Sequence, residues 1–517
     1  MADRLNLAAA LLEPAGTARG ARVALREPQR SWSYDELADT VARLAGGLRG
    51  IGVRPGDRVA LLMPDGLEAA CAILAVVHLG GIAVPLSELQ RPNDVRAFVR
   101  DAGAVAAIVH ESLQAVIEEV RAELPSLREV VVVGVPRSGE LAFDALVAQT
   151  RPAAPADTSA TDIALILYST SPSERPRGVA HRHDTPLAAF RAYNDGIFAI
   201  REDDRVFCAQ RLATAFGLGS ALVFPLAAGA QAVLLPQQPK SRAVLDVLQG
   251  LRPTLFVATP SLLAQVLADL GEGASVATSL RACIAGGEPV SARVQTWARE
   301  RLGVEVLPGY GLTEAFHFVI ATPEGGGRAG GSGKIIPGFE ARIVSADGVQ
   351  VPAREIGTLE LRGPTLAASY WNRDDDSKIV FRDGWLRTAD RFFVDDDGTY
   401  FHVGRSDDLF KVGGKWVSPG EVERTLLAHE AVWECAVIGV EDDDGLTKPL
   451  AYVVPNVGHA AGEDLEHDLI AYVKREIAPY KYPRWIEFVD SLPKNKHGRV
   501  QRYKLPKKRP GRAETAR

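Results

Sequence analysis

Residues 168–178 read YSTSPSERPRG and continue from the apolar run DIALILY, which ends on Tyr168. A strand followed by hydroxyl side chains, two arginines and a closing glycine is the setting of a phosphate-binding loop. There, backbone N–H groups turn inward around the anion and basic side chains meet its charge. Such loops normally contain glycines, and this one has none before Gly178. A working phosphate loop, one that has stopped working, and no such loop at all are each compatible with the stretch alone. Sulfur chemistry has less to rest on. The four cysteines, Cys71, Cys208, Cys283 and Cys435, form no CxxC pair, and three lie in apolar stretches. No basic residue is adjacent to activate a thiolate, so buried, reduced thiols in a cytoplasmic protein are expected.

These residues need a scaffold, and 517 residues suffice for three or four domains of about 150 residues each. Hydrophobic content of 46% and charged content of 24% suit a globular chain with sizeable cores. A net charge of -6 argues against nucleic acid as a partner, while leaving room for a locally basic site that takes a small anion. The basic ending KLPKKRPGRAETAR reads as a solvated tail, and the first residues lack an apolar core of signal-peptide length. The segment from Ala69 to Leu86 is the only lookalike for a membrane span. His78, the Gly80–Gly81 break and Pro85 make it a buried helix followed by a strand, so no membrane association is expected.

Short β-branched runs (58–63, 104–110, 129–134, 164–168, 231–236, 254–260) alternate with helical patterns such as SYDELADTVARLAGGLRG (33–50), which has a serine start and a glycine stop. That alternation predicts layered α/β structure with largely parallel sheets. From about Gly331, segments such as FEARIVSADG, GTLELRG and GTYFHVGR predict antiparallel strands joined by Asp-Gly turns. After Arg405 the pattern is strand, turn, capped helix and strand, a small α+β module. The expected organisation is α/β, with a large domain (1–405) that includes a β-rich subdomain and a small mobile domain (406–517) hinged near Asp407.

Four further stretches come in a fixed order: GYGLTE (309–314), GWLRTAD (384–390), HVGRSDDLFKVGGKWVSPGEVE (402–423) and LPKNKHGRVQR (492–502). Together they resemble the signature set of the adenylate-forming superfamily of acyl-CoA ligases, adenylation domains and luciferases. FGLGSALVFPLAAGAQAVL (216–234) and APYKYPRWIEFVDSLPK (478–494) are most similar to its benzoate/aryl-CoA ligase branch. The resemblance implies two half-reactions in one site. A carboxylate attacks the α-phosphate of ATP to give an acyl-adenylate, and the thiol of CoA, delivered after the small domain swings, then expels AMP. It implies an adenylate site of Gly286, Gly287, Glu288, Tyr310, Gly311, Thr313, Asp390 and Arg405, in which Tyr310 stacks on adenine and Asp390 takes the ribose hydroxyls. Thr313 and Glu314, at a helix start, would serve the α-phosphate and Mg²⁺. Lys411, Gly413 and Gly414 would line the CoA tunnel, and Ala213, Ala215, Phe216, Gly217 and Ala285 the acid pocket.

Two departures answer the opening question. The family loop carries two glycines where this chain has Ser171 and Glu174, within a loop that offers Ser169, Thr170, Ser171, Ser173 and Arg177. Pro172 removes an N–H donor, and Glu174 adds repulsion of up to about 4 kcal/mol per charge pair against a phosphate about 4 Å away. The family's catalytic lysine after the C-terminal glycine is here Arg499, whose fork is larger and differently aimed. Both changes fall on the first half-reaction. The expectation is an enzyme that forms acyl-CoA from a bulky, largely apolar acid, with adenylation impaired or lost. Its substrate would then be an acyl-adenylate, made by a separate adenylating ligase, together with CoA, and Mg²⁺ would be needed only if adenylation is active. A complete ATP-dependent ligase and a non-catalytic ligand-binding homologue are the alternatives.

Overall fold

The computed structural model describes residues 3–14, 16–169, 177–270, 279–328, 330–405, 408–412, 415–442, 445–494 and 500–507. The helix Tyr34–Gly50 begins where the sequence predicts. Ser33 accepts from the backbone N–H of Glu36, and the Glu36 side chain reaches back to the Ser33 N–H. Its buried face meets the helix Leu67–His78, which between Glu68 and His78 is apolar on every face because it lies inside the main core. At 1.5 Å per residue, twelve residues reach about 18 Å, short of a bilayer's hydrocarbon thickness. Gly80, with φ of 80°, then turns the chain into the strand Ile82–Leu86. No described helix is long and apolar enough to cross a membrane.

Two large sheets build the α/β part. One has eight strands, with Arg58–Leu62 and Ile82–Leu86 at its centre and Ser369–Tyr370 at one edge, against Arg177–Arg182. The other has nine, running from Lys334–Ile335 through Phe318–Ala321, Val306–Gly311, Ala282–Gly286 and Leu255–Ala258 towards Val23–Arg26. Its central pairs are parallel, as the alternating pattern predicts. Several predicted strands are shorter than expected, most of all 254–260 and 231–236. Thr259 accepts from the N–H of Leu262 and caps the helix Pro260–Asp269, so the preceding strand stops at Ala258. The run from Gln231 pairs only as far as Val233.

The β-rich part is an antiparallel sheet of Glu340–Val344, Gly357–Arg362, Trp385–Val394, Phe381–Arg382 and Tyr400–Arg405. Asp383 and Gly384 both have positive φ, 54° and 76°, and link Arg382 to its partner Trp385 as a two-residue turn. Beyond the hairpin Phe410–Val412/Lys415–Val417, the smaller C-terminal domain packs the helices Pro419–Leu427 and Glu463–Glu476 with the three-stranded sheet Val432–Glu441, Thr447–Pro455 and Trp485–Phe488. The fold is thus mixed α/β, with a large N-terminal and a small C-terminal domain. All four cysteines are buried and free; burial pushes the Cys208 and Cys283 thiols up to about 12.

Candidate active site

The strand Val306–Gly311 brings Tyr310 against the β-rich sheet. The Tyr310 hydroxyl donates to Asp390 Oδ2 at 2.9 Å, and His402 Nε2 lies 3.0 Å from Asp390 Oδ1. Register explains the meeting: Asp390 pairs with Arg405 and Phe392 with His402 across neighbouring antiparallel strands. The Asp390 side chain is 14% exposed, so it is sheltered yet reachable. Burial would push its carboxyl up, but the hydrogen bond and charge of His402, the charge of Arg405 and the Tyr310 hydroxyl outweigh that and hold it below the ordinary carboxylate range. The Tyr310 ring meets the edge of Phe392 at 4.8 Å and lies nearly parallel to His402 at 5.8 Å. Sequence reasoning missed His402, because nothing in GTYFHVGR distinguishes a histidine that faces a carboxylate from one that faces solvent.

Thr313 and Glu314 open a single 3₁₀ turn rather than a longer helix. Phe316, with φ of 66°, reverses the chain into the strand Phe318–Ala321 and ends the turn at once. The turn is stitched to the segment before the edge strand: Thr365 donates to the Ala315 carbonyl at 2.7 Å, and the Ala367 N–H donates to the Glu314 carbonyl at 2.8 Å. The Tyr370 hydroxyl donates to Glu314 Oε1 at 2.7 Å, and the Arg177 guanidinium sits 5.8 Å from the Tyr370 ring centre. Tyr370 is a second residue that the sequence reading missed. The strands Ile163–Ser169 and Arg177–Arg182 pair in register up to Ser169 and Arg177, so the loop between them leaves and returns at one place. Thr170, Ser171 and Ser173 lie outside the described residues, as do Pro172 and Glu174. Among the described residues no cluster of three or more His, Cys, Asp and Glu could hold a metal ion. Any Mg²⁺ at Glu314 would take its remaining ligands from phosphate oxygens and water.

In the segments expected to line the acid pocket, several glycines have a packing reason. A Cβ on Gly286 would come within 2.4 Å of Phe318 Cε1, one on Gly309 within 2.5 Å of Phe318 Cδ2, and one on Gly219 within 2.6 Å of His317 Cδ2. The space beside these glycines is filled by the protein's own rings. Phe216 joins that cluster, 5.0 Å from Phe318 and 5.5 Å from His317. Ala213 is half-buried and Ala215 buried just before Phe216, and a Cβ on Gly217 would come within 2.0 Å of the Arg211 carbonyl oxygen. Ala285 is buried on the strand Ala282–Gly286. His317, also missed, is fully buried; its Nε2 lies 2.9 Å from Ser220 Oγ, and burial pulls its ring down to about 3, so it is neutral. Gly287 needs glycine for its φ of 88°. Glu288 is occupied inside the protein: its Oε2 accepts from the Ser261 hydroxyl at 2.5 Å and from the Ser261 N–H at 3.1 Å.

The small domain touches the same region. Arg424 Nη1 donates to the His402 carbonyl at 3.0 Å, and the Ser418 hydroxyl donates to the Val403 carbonyl. Farther away, Arg293 lies over both Trp297 and Trp433 and donates to the carbonyls of Val432 and Trp433 at 2.8 and 3.2 Å. Lys411 sits on the strand Phe410–Val412 of the hairpin. Asp407, Gly413, Gly414 and Arg499 lie outside the described residues.

Residues 12–371 match the AMP-binding enzyme family, and residues 421–499 match its C-terminal domain. The chain is 39% identical over 492 residues to the benzoate–CoA ligase of Thauera aromatica, covering 94% of this chain and 93% of that one. It is 38% identical over 491 residues to the 4-hydroxybenzoate–CoA/benzoate–CoA ligase of Rhodopseudomonas palustris, covering 94% and 91%. Among solved structures, an anthranilate CoA ligase in complex with anthranoyl-AMP superposes with a TM-score of 0.92 at 37% identity, covering 97% of this chain and 96% of that one. A benzoate CoA ligase from Burkholderia xenovorans LB400 gives 0.90 at 34%, covering 97% and 99%. The chain therefore belongs to the AMP-binding enzyme family. Within it, the chain is an acyl-CoA ligase that works with adenine nucleotide and CoA.

Proposed function

We propose that the protein forms the CoA thioester of a one-ring aromatic acid and that its competence lies in the second half-reaction. The ring cluster of Phe216, His317 and Phe318 supports an aryl ligand, since aromatic edges and faces select flat rings. The names of the relatives narrow the bulky, largely apolar acid expected from sequence to a single ring. The relatives act on benzoate and hydroxybenzoate by name, and one neighbour holds anthranoyl-AMP.

Asp390 carries this reading. It is a sheltered, ionised carboxylate beside an aromatic ring and an arginine, suited to a ribose diol of AMP. Tyr310 and Arg405 would bind and orient the same nucleotide, Thr313 would serve the α-phosphate, and Gly286, Gly287 and Gly311 would shape the cleft beside them. Glu288, already paired with Ser261, would act on the cleft through that helix start. The small domain, from about residue 406, would turn about Asp407 and bring Lys411, Gly413 and Gly414 to the thiol's path. That step needs a positioned thiol and a stabilised leaving AMP, because the mixed anhydride is already activated. The first half-reaction depends on the 170–176 loop, on Arg177, on Glu314 with Mg²⁺ and on Arg499. Ser171, Pro172, Glu174 and Arg499 weaken it, and a partner ligase would then supply the acyl-adenylate.

Resemblance over 94% of the chain to proteins named as CoA ligases favours a second reading, a complete ATP-dependent ligase. One experiment separates them. Purified protein receives CoA with either benzoate, ATP and Mg²⁺ or synthetic benzoyl-adenylate. Rapid benzoyl-CoA formation from the adenylate and at least about 10³-fold less from ATP is expected, the rate equivalent of about 4 kcal/mol. Robust turnover from ATP and free acid establishes the complete ligase instead.

A further inference from the structure

We propose that His402 is a positioning residue for the nucleotide, holding the Asp390 carboxylate in the one orientation from which it meets the ribose hydroxyls. This rests on the assignment of Asp390 to the ribose.

Two donors fix the two carboxylate oxygens separately: the Tyr310 hydroxyl takes Oδ2 at 2.9 Å, and His402 takes Oδ1 at 3.0 Å. Asp390 is ionised and can only accept, so His402 Nε2 must carry the proton and donate. An ionised carboxylate has about four acceptor positions, and two such donors leave the others for a ligand. With Tyr310 alone, the carboxylate could swing about a single hydrogen bond. The torsion that turns an aspartate carboxylate is soft and broad, so nothing intrinsic to the residue replaces the second anchor.

The His402 ring is itself held. It packs against Phe392 at 5.1 Å and lies nearly parallel to Tyr310, and its side chain is 23% exposed. Its backbone is fixed from the other side, because the carbonyl accepts from Arg424 of the small domain, while Ser418 holds the carbonyl of Val403. His402 thus touches the adenylate site with its side chain and the small domain with its main chain. Among the described residues, the charged and titratable groups around the pair include Arg405, Tyr310, Glu314 and Arg424.

The test uses the full chain with His402→Phe, which keeps a packed ring without a donor, and His402→Gln, which keeps a donor. Calorimetric titrations are made with AMP and with 2′,3′-dideoxy-AMP. His402→Phe should weaken AMP binding about tenfold, the loss of one hydrogen bond to a charged group, and His402→Gln less than about threefold. For dideoxy-AMP, which has no diol to align, wild type and His402→Phe should differ by less than about twofold. Wild-type AMP affinity in His402→Phe overturns the proposal. So does an equal loss for both nucleotides, or a parallel fall of AMP affinity and melting temperature in both variants, since each of these describes a structural role alone. Asp390→Ala binding AMP as tightly as wild type sinks the ribose assignment itself, a result distinct from an inert His402 beside a required Asp390.

Discussion

His317 is neutral because burial disfavours its charged form. Its folded value is about 3, against about 6.5 for a free histidine. Below about pH 6.5 the unfolded chain takes up a proton that the native ring refuses, so this stability is complete above that pH and is lost as pH falls toward 3. At pH 5 the loss is about 2 kcal/mol. Asp65, raised to about 7 by burial, runs the other way, so the comparison must be between variants. His317→Gln keeps a hydrogen-bonding partner for Ser220 and does not titrate. Its melting temperature should fall less between pH 7 and pH 5 than the wild type's, and an identical fall would contradict the burial argument. Asp390 and Tyr310 were legible in the sequence because they sit in ordered motifs. His402, Tyr370 and His317 were not. Each acts through a contact set by strand register or ring packing, and neither is written in the residues on either side.

At the scale of elements, the strands Ala282–Gly286 and Val306–Gly311 carry glycine where Phe318 crosses them. Gly286→Ala places a methyl 2.4 Å from a ring atom and should destabilise by about 1–3 kcal/mol, read as a lower melting temperature. Phe318→Leu in the same chain should recover part of that loss, and no recovery would place the strain elsewhere. The hairpin Phe410–Val412/Lys415–Val417 carries a different expectation. Gly414→Leu should stop thioester formation from benzoyl-adenylate while AMP binding stays at the wild-type value. Wild-type thioester rates would remove the hairpin from the thiol's path. Turn chemistry was readable at this scale, as Asp383–Gly384 and the Ser33 cap show. Strand ends were not, because Ala258 ends its strand through a cap formed by the next residue.

For the whole molecule, the alternation of strand and helix, the change near Gly331 and the new pattern after Arg405 were enough to anticipate layered α/β sheets, a β-rich part and a small C-terminal domain, but not the division into one eight-stranded and one nine-stranded sheet. Nor was the contact of the small domain through Arg293 and Trp433 legible, since cation–π pairing across about 140 residues leaves no local pattern. The proposed division of labour also belongs to this scale, because the 170–176 loop and Arg499 are over 300 residues apart. Ser171→Gly, Glu174→Gly and Arg499→Lys together should raise ATP–pyrophosphate exchange above the parent, with single changes doing less because residues that act as a unit are not additive. Exchange in the triple variant equal to the parent's would locate any defect outside these positions.

The edge strand Ser369–Tyr370 completes the eight-stranded sheet against Arg177–Arg182. Its first residue is made 192 positions after Arg177. At about 5–20 residues per second, a ribosome needs roughly 10–40 s to cover that distance. Through that interval the nascent chain shows an unpaired strand edge beside the half-built cleft, open to any other extended segment. Slowing translation between these two strands should therefore raise the aggregated fraction of the newly made protein without altering the stability of molecules that have finished folding.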